Sequence, residues 1–400
     1  MSMIVEDSNM KLNVVFMGDI PYPKGMASTK RVQHAIDAFQ ENDIDCRVII
    51  FRQSTALNQS EGVYRGTTYH TLIPDLIGWR LSIFLPLLVI KSFSAIRRVF
   101  KADKKNILFI YGPPSASNIL AVIYAQRIGF LTVFDIIEDY NYSIENAKNW
   151  EHRVKIFIIQ QLIKRIKKIA DGLVVISTAL EKKYRKLTYG QLPIHLRPIS
   201  IDPKRFMVDS GLFGKNPTMF YSGSFGVKDG VSELLDAFES LAARHTNLKL
   251  IMTGRGTEQR MKEVFERIKA SPVKNRIEYK GYLDDDEYYE TLKKADIPCM
   301  TRINSGYANA GFPFKLGEFL ATGKPVIASK VSDIEKIMKD QYDAILVEPS
   351  DSAEIASAVE YLLTSPKIAS EIGKRGRDKA HKLFNYQSQG KELLKFFYSL

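Results

Sequence analysis

The sequence has few residues of the kinds that stabilise small secreted folds or hold metal ions. Only two cysteines occur in 400 residues, Cys46 and Cys299, and each lies within an apolar segment. The six histidines are never at the spacing that two metal ligands need on one helix. A disulfide framework and a cysteine-rich zinc site therefore have no support, and we expect no metal ion.

Long apolar runs are also missing. The longest, residues 81–90, is interrupted by Ser82 and Pro86, whereas a bilayer span needs about 20 apolar residues. The N-terminus lacks the basic and apolar regions of a cleavable secretory signal. We therefore expect a protein that remains in the cytoplasm and does not span the membrane. With 45% hydrophobic residues, the composition excludes a disordered chain.

Acidic residues are scarce in the first half of the chain. Lys and Arg number 57 against 45 Asp and Glu, a formal net charge of +12. Residues 1–200 contain 27 Lys and Arg against 17 Asp and Glu, and residues 201–400 are nearly balanced. Such a charge favours an anionic partner: nucleic acid, a membrane surface or a phosphorylated ligand.

Strand and helix patterns alternate along both halves of the chain. Apolar runs without polar alternation predict buried parallel strands at 12–17, 46–51, 107–111, 131–136, 173–176, 219–222, 249–253, 277–279, 297–300, 326–328 and 345–347. A first helix should begin at Ser28 or Thr29. The predicted fold class is α/β, with two Rossmann-like domains whose parallel sheets face an interdomain cleft.

Domain boundaries follow from length and from proline. Four hundred residues exceed one ordinary core, and a connector at 196–206 with Pro198 and Pro203 interrupts the pattern. We predict a first domain at 1–200, a second at 201–385 and a helix at 386–400 that crosses back to the first domain. Ligands of such sheets bind at the carboxyl ends of the strands.

Several loops after predicted strands contain glycine and a cation. Gly25 follows the first strand, Lys228 lies in the loop 223–230, and Gly254 and Arg255 follow another strand. These loops are suited to bind phosphate through backbone N–H groups. An ordinary turn is as good an interpretation for Gly25, and a solvated lysine is the usual state of a residue such as Lys228.

Two acidic features have alternative interpretations. The run 284–287 resembles a metal site, but it stands where a helix should begin, and we favour helix capping. Glu318 lies in an apolar helical segment after a turn predicted at 312–315. A buried carboxylate needs hydrogen-bond partners, so Glu318 either caps a structural feature or accepts hydrogen bonds from a ligand.

The stretch 312–328, FPFKLGEFLATGKPVIA, resembles the signature of the retaining, GT-B-fold glycosyltransferases of group 1, known as GT4. The resemblance covers most of the chain and is weakest at residues 50–150. It implies a nucleotide-diphosphate sugar as donor substrate and no cofactor. It also implies that the sugar is transferred with retention of its anomeric configuration. The acceptor would be a lipid-linked glycan, used in cell-surface polysaccharide or glycolipid synthesis. A catalytically degenerate GT-B scaffold or binding protein is the alternative.

The resemblance also implies roles for individual residues. Glu318 would accept hydrogen bonds from the donor ribose, Lys228 would neutralise the diphosphate, and Tyr282 would frame the base. The backbone of 311–314 would line the sugar and phosphates. The catalytic residues implied are Lys228, Glu318 and Glu138, and the donor site comprises Gly25, Ser224, Lys228, Gly254, Arg255, Tyr282, Arg302, Gly311, Phe312, Phe314, Lys315 and Glu318.

The sequence departs from the family pattern at three places. Ala310 replaces a glutamate that is common eight positions before Glu318, and Ser224 replaces an arginine. Lys315 and Arg302 are candidate replacement cations. The usual acceptor-side histidine has no match in 135–139, where Glu138 or Asp139 either contacts the acceptor or serves helix capping or domain packing.

The basic charge of the first half has two local sources. Residues 81–90 are flanked by Trp79, Arg80, Lys91, Arg97, Arg98 and Lys101, and the segment either lies on an anionic membrane or packs as a buried helix. An amphipathic helix is predicted at 154–170. It carries four cations, Lys164, Arg165, Lys167 and Lys168, and the default expectation is that they lie on a solvated face. No nucleic-acid motif accompanies the charge, so we expect a membrane surface and not nucleic acid as the partner.

Overall fold

The structure is a computed structural model that describes residues 11–53, 59–74, 83–141, 150–206, 208 and 213–400. The chain divides into two units by internal contacts. Unit 1 comprises Met1–Ser200 with Tyr386–Leu400, and unit 2 comprises Ile201–Asn385. None of the described helices is long and apolar enough to cross a bilayer.

Unit 1 is built on one eight-stranded sheet with the order β3-β4-β2-β1-β5-β6-β7-β8. Its strands are β1 Leu12–Gly18, β2 Asp45–Arg52, β3 Glu61–Tyr64, β4 Thr67–Ile73, β5 Lys105–Tyr111, β6 Phe130–Ile136, β7 Gly172–Val175 and β8 Ile194–Leu196. The central strands β1 and β5 are apolar along most of their length and buried. Such runs require cover on both faces of the sheet.

The sheet of unit 1 is parallel except at one edge, where it contains a hairpin that was not predicted from the sequence. Strand β3 pairs antiparallel with β4, and Arg65 and Gly66 connect them with φ of 48° and 79°. Two consecutive left-handed residues form the turn that matches the twist of a two-stranded hairpin. Polar residues occupy most positions of β4 before Leu72, so this segment lacks the continuous apolar run on which the strand prediction depended.

Helices cover both faces of this sheet. The described helices of unit 1 are α1 Ala27–Gln40, α2 Leu85–Val99, α3 Ile119–Arg127, α4 Trp150–Lys164, α5 Thr178–Leu187 and α14 Tyr386–Ser399. The connection through α1 moves from β1 towards one sheet edge, and the connections through α2, α3, α4 and α5 move towards the other. Because such crossovers are right-handed, α1 lies on one face and these four helices lie on the opposite face.

The C-terminal helix α14 packs against α1 on the first of these faces. The Phe397 ring contacts Phe39 and Phe109, with centroids 5.8 and 5.3 Å apart. The Tyr386 hydroxyl donates to the Glu41 carboxylate at 2.6 Å. Residues 386–400 therefore complete the core of unit 1.

The helix starts differ slightly from the sequence expectations. Helix α1 begins at Ala27 after Met26, which provides no side-chain cap. The Thr29 hydroxyl, a predicted cap, instead donates to the carbonyl of Pro21 at 2.7 Å. In the same way α4 ends at Lys164 and a short 3-10 turn, Ile166–Lys168, follows, so the predicted helix 154–170 is not continuous.

His195 on β8 provides a pH-sensitive contact with α14. Its ring stacks on Phe396, with centroids 5.4 Å apart. Burial, together with the charge of Arg197, lowers the pKa of His195 to about 4. In the unfolded chain the imidazole has its ordinary pKa of about 6.5 and binds a proton first as the pH falls.

The free energy of unfolding should therefore fall as the pH drops from about 6.5 towards 4, with about 3 kcal/mol due to His195. We expect His195→Gln to remove that part of the pH dependence in urea unfolding curves measured on either side of this window. His70→Gln, at an exposed ring, is the matched control. An unchanged pH dependence in His195→Gln would contradict the prediction.

Unit 2 contains a six-stranded, fully parallel sheet with the order β11-β10-β9-β12-β13-β14. Its strands are β9 Thr218–Gly223, β10 Lys249–Gly254, β11 Ile277–Tyr279, β12 Ile297–Met300, β13 Ile327–Ser329 and β14 Ile345–Val347. Its helices are α6 Val231–Ala242, α7 Glu258–Ala270, α8 Asp285–Lys294, α9 Gly306–Ala310, α10 Phe314–Ala321, α11 Ile334–Ile337, α12 Ser352–Thr364 and α13 Pro366–Phe384. The turn predicted at 312–315 is shorter, because α10 already begins at Phe314.

Candidate functional site

The predicted residues fall into both units, and each unit is described by itself. Glu318, Lys228 and most of the others follow strands of unit 2, whereas Gly25 and Glu138 belong to unit 1. In both sheets these loops leave the carboxyl ends of parallel strands, the edge where α/β sheets bind ligands.

Glu318 is a buried carboxylate with a defined partner. Its side chain, on α10, is 2% exposed. The Tyr288 hydroxyl of α8 donates to Glu318 Oε2 at 2.7 Å. Burial raises the pKa of Tyr288 well above 10, and the adjacent carboxylate raises it further. The phenol therefore keeps its proton and orients the carboxylate.

Lys315 lies one helical turn before Glu318 on α10. Its Nζ is 3.4 Å from Glu318 Oε2 and 4.0 Å from the centroid of the Tyr288 ring. Its side chain is one-third exposed, so the cation stands between a buried carboxylate and solvent. The two residues place a positive and a negative group one turn apart on α10.

The loop that contains Lys228 is organised by Asp229. Asp229 Oδ2 accepts hydrogen bonds from the Ser224 hydroxyl at 2.6 Å and from the backbone N–H of Gly226 at 3.0 Å. Ser224, which stands in the place of the family arginine, is thus a loop-forming residue here. Its short side chain closes the loop on itself and adds no positive charge.

Lys228 and Arg302 are brought close together by backbone pairing. The N–H of Ile303 donates to the carbonyl of Lys228 at 3.1 Å, and Lys228 Nζ lies 4.2 Å from the centroid of the Tyr307 ring. Burial lowers the pKa of Arg302, opposed by Asp229. Two cations therefore adjoin the loop that follows β9.

Gly254 is constrained by the close approach of two strands. It ends β10 beside Gly223 of β9, and its φ of +123° is a conformation that L side chains rarely adopt. A Cβ at this position would overlap the carbonyl of Gly223. The sequence prediction did not include this steric reason for the glycine.

Arg255 and Tyr282 form a pair at the same sheet edge. The Arg255 guanidinium lies 4.7 Å from the centroid of the Tyr282 ring, and the ring is about half exposed. The loops are tied together because Gly254 N–H donates to the carbonyl of Gly281 at 2.9 Å. An exposed aromatic ring beside a guanidinium is suited to stack a planar ligand.

In the segment 311–314, backbone groups are more available to a ligand than side chains are. Phe312 is buried against Phe384, with ring centroids 5.8 Å apart. The carbonyl of Gly311 accepts a short hydrogen bond from the Ser332 hydroxyl. Phe314 is the first residue of α10, and Ala310 is a buried apolar residue at the end of α9.

The acidic run 284–287 serves as a helix start, as its capping interpretation predicted. Asp284 Oδ1 accepts from the backbone N–H of Glu287 at 2.9 Å, and the next three acids occupy the first turn of α8. Negative charge there is stabilised by the helix dipole. Within the described residues there is no cluster of three side chains able to hold a metal ion.

In unit 1, Gly25 lies in the loop between β1 and α1. A Cβ at this position would overlap the Thr29 hydroxyl and the carbonyl of Pro21. Glycine is therefore required for the loop to close. Close packing in the loop thus explains the glycine, and phosphate binding is a second interpretation that is compatible with it.

Glu138 and Asp139 have different surroundings after β6. Asp139 Oδ1 is 2.5 Å from Lys183 Nζ and also accepts from the N–H of Asn141 at 2.9 Å. Asp139 therefore has a structural role. Glu138 is half-buried beside the phenols of Tyr111 and Tyr140, where its charge adds to burial in raising their pKa values.

Tyr288, Asp229 and Tyr307 are functional candidates that the sequence analysis missed. Tyr288 directly follows the acidic run, and Asp229 stands between the predicted Lys228 and a glycine. Their adjacency to predicted residues was the only signal available. Their contacts with Glu318, Ser224 and Lys228 depend on packing between separate loops.

Comparison with known proteins gives a family match in unit 2. The model for glycosyl transferases group 1 matches residues 203–379. The MMP alpha-(1->4)-mannosyltransferase of Mycolicibacterium hassiacum is 25% identical over 57% of this chain and 54% of its own length. The phosphatidyl-myo-inositol mannosyltransferase of Mycobacterium leprae is 29% identical over 34% of each chain. The chain thus spans about half or less of the length of these curated relatives.

A solved structure resembles the chain over almost its whole length. HepE of Anabaena, in complex with UDP and glucose, has a TM-score of 0.74 at 15% identity and covers 98% of this chain and 100% of its own. This likeness shows the fold, which is GT-B with two α/β domains. The predicted α/β fold class with two Rossmann-like domains is confirmed.

Proposed function

Because residues 203–379 match the model for glycosyl transferases group 1, we propose that this protein transfers a hexosyl group from a nucleotide-diphosphate sugar to a glycan acceptor. The observation that carries the proposal is the Tyr288-oriented carboxylate of Glu318 with cationic Lys315 beside it. A carboxylate accepts from two adjacent hydroxyls, and a cation binds a diphosphate. HepE, which was solved with UDP and glucose, supports a nucleotide-sugar donor.

The proposed step breaks the bond between the sugar C1 and the diphosphate oxygen. The bonding electrons remain on the leaving phosphate oxygen, whose charge Lys228, Lys315 and Arg302 stabilise. An acceptor hydroxyl forms the new bond to C1 on the face that the diphosphate leaves, and its proton passes to the phosphate. The product therefore retains the anomeric configuration, and three cations are available for a metal-independent reaction.

We propose that the acceptor is lipid-linked and is used at the cytoplasmic face of an anionic membrane. The mannosyltransferase of Mycobacterium leprae bears the name of a phospholipid acceptor, phosphatidyl-myo-inositol. The excess of ten cations over acids in residues 1–200 also favours a phosphate-bearing partner. Glu138, half-buried after β6 in unit 1, is the proposed acceptor-side group.

A thermal-shift panel of UDP, GDP, ADP and their sugars tests the proposal. One nucleotide series should raise Tm selectively, because a ligand that binds only the native state stabilises it. Transfer should then proceed in the presence of EDTA, and NMR of the product should show the donor's anomeric configuration. No shift with any nucleotide would contradict the proposal.

A catalytically degenerate GT-B scaffold is the second candidate. It is favoured by Ala310 and Ser224, which supply neither the acid nor the cation common in the family. Selective nucleotide binding without donor hydrolysis or transfer would identify this case. Transfer to any acceptor would exclude it.

Tyr288→Phe should weaken donor binding without unfolding the protein. The change removes the hydrogen bond to Glu318 Oε2, and bonds to charged groups contribute about 1.5–3 kcal/mol. We expect about a 10-fold rise in the donor KM with kcat nearly unchanged, measured by steady-state kinetics. Tyr361→Phe, at a partly buried phenol on α12, is the control. A change in kcat alone would contradict a positioning role.

A further inference from the structure

Exposed apolar side chains are concentrated on one face of unit 1. Eighteen large apolar side chains are exposed in the described residues, and nine of them lie on α2, α3, α4 or just before α2. Ile90 is 65% exposed, Trp150 73% and Phe157 57%. We name the exposed surface of these three helices the three-helix face. Contiguous exposed apolar surface of this kind marks an interaction site.

The topology places these side chains together. Helices α2, α3 and α4 connect strands in the same direction across the sheet and therefore share one face. Helices α2 and α3 are in contact, with Phe93 stacked on Tyr124 at 4.4 Å between ring centroids. The apolar residues of α2 and α3 thus belong to one surface, and those of α4 lie on the same face of the sheet.

The apolar side chains also share one end of the helices. All nine precede α2 or lie no further than the midpoint of their helix, such as Leu87, Ile123 and Val154. A crossover helix begins near the carboxyl end of the strand before it. The apolar end of the three-helix face therefore adjoins the sheet edge at which β6 ends. Glu138 lies just beyond this end of β6.

The charge of the three-helix face is strongly positive. The helices carry one acid, Glu151, and seven cations, all exposed: Lys91, Arg97, Arg98, Arg127, Arg153, Lys155 and Lys164. Two identical faces of this charge would repel one another across a two-fold interface. An anionic surface with an apolar interior complements both properties.

We propose that the three-helix face docks on an anionic lipid bilayer, with the first halves of α2, α3 and α4 inserted at the interface. This proposal rests on the proposed function, because it brings the acceptor-side sheet edge next to the lipid that would carry the acceptor. From the sequence alone, a membrane contact is expected only around 81–101. Trp79 and Arg80, which precede that segment, lie outside the described residues, and α3 and α4 extend the surface.

Vesicle flotation of the full chain tests the docking. Wild-type protein should float with phosphatidylcholine vesicles that contain phosphatidylglycerol and much less with phosphatidylcholine alone. Arg153→Gln with Lys155→Gln, both in the first half of α4, should lower partition on anionic vesicles about 30-fold, the factor that two charges provide near such a surface. Ile90→Ser with Phe157→Ser should lower it about 10-fold.

A matched control lies in unit 2, where Ile368→Ser with Lys367→Gln and Lys374→Gln changes one exposed apolar and two exposed basic residues. This variant should float like wild type. Equal partition on neutral and anionic vesicles, or unchanged partition of both face variants, would overturn the proposal. So would a dimer in sedimentation that the face variants dissociate, or tighter binding to a random oligonucleotide than to vesicles.

The nucleotide thermal shift, measured on the same samples, separates the two proposals. Loss of flotation with a retained nucleotide shift would reject membrane docking and leave the proposed function intact. Flotation without any nucleotide shift would reject the proposed function instead. The face variants should keep the wild-type nucleotide shift, because they change no residue of the donor site.

Discussion

Glu318→Gln is expected to lower donor affinity about 100-fold and kcat/KM by at least as much. The amide keeps the shape of the side chain and can still accept from Tyr288. It loses the negative charge that would receive two ribose hydroxyls, and a hydrogen bond to a charged group contributes about 1.5–3 kcal/mol. The measurement is isothermal titration with the nucleotide that the thermal-shift panel selects, followed by transfer kinetics.

Two comparisons make this result interpretable. Glu335→Gln changes an exposed carboxylate on α11 and should behave as wild type. Far-UV circular dichroism and Tm without ligand should remain close to wild type in Glu318→Gln, because size and one hydrogen bond are preserved. Normal donor affinity in a folded Glu318→Gln protein would remove the observation on which the proposed function depends.

The proximity of Lys315 and Glu318 on α10 could be predicted from the sequence, because it depends only on local helical geometry. Lys315 and Glu318 are three residues apart on one helix, so their proximity follows from helical geometry. Tyr288 is 30 residues away from Glu318 and on another helix. Only the packing of α8 and α10 brings its hydroxyl to the carboxylate, and no periodicity in the sequence describes that packing.

The fold shows the same limit. Buried parallel strands such as β1 and β5 were predictable from continuous apolar runs. The β3–β4 hairpin was not predicted, although Arg65-Gly66 form a turn, since neither strand contains a long continuous apolar run. Patterns of hydrophobicity thus identify elements that are buried on both faces and miss those at a half-exposed edge.

Long-range polar pairs were also invisible in the sequence. Arg31 and Asp135 are 104 residues apart and form a two-point ion pair at 2.7 and 2.8 Å with side chains 4% and 2% exposed. Arg31 also donates to the carbonyls of Arg197 and Pro198. The network joins α1, β6 and the segment after β8, so it fixes the sheet edge of unit 1 that carries Glu138.

This network contains two buried guanidinium groups and one carboxylate. Burial lowers the pKa of Arg197 to about 9, the charge of Arg31 lowers it further, and Asp135 opposes both. Removing one member of a buried ion pair costs about 3–5 kcal/mol, because the remaining charge stays buried without its partner. The loss in the free energy of unfolding should depend on whether a positive or the negative side chain of the network is removed.

Asp135→Asn is expected to destabilise unit 1 by about 3–5 kcal/mol and more than Arg31→Met does. Asparagine leaves Arg31 and Arg197 without a counter-charge, whereas methionine leaves Asp135 with Arg197 still nearby. Urea unfolding measures both, and Arg65→Met, which breaks the more exposed pair with Asp37, should cost about 1 kcal/mol or less. A loss in Arg31→Met equal to or larger than that in Asp135→Asn would contradict the prediction. The hydrogen bonds from Arg31 to the carbonyls of Arg197 and Pro198, which methionine also removes, would then outweigh the unpaired charge of Arg197.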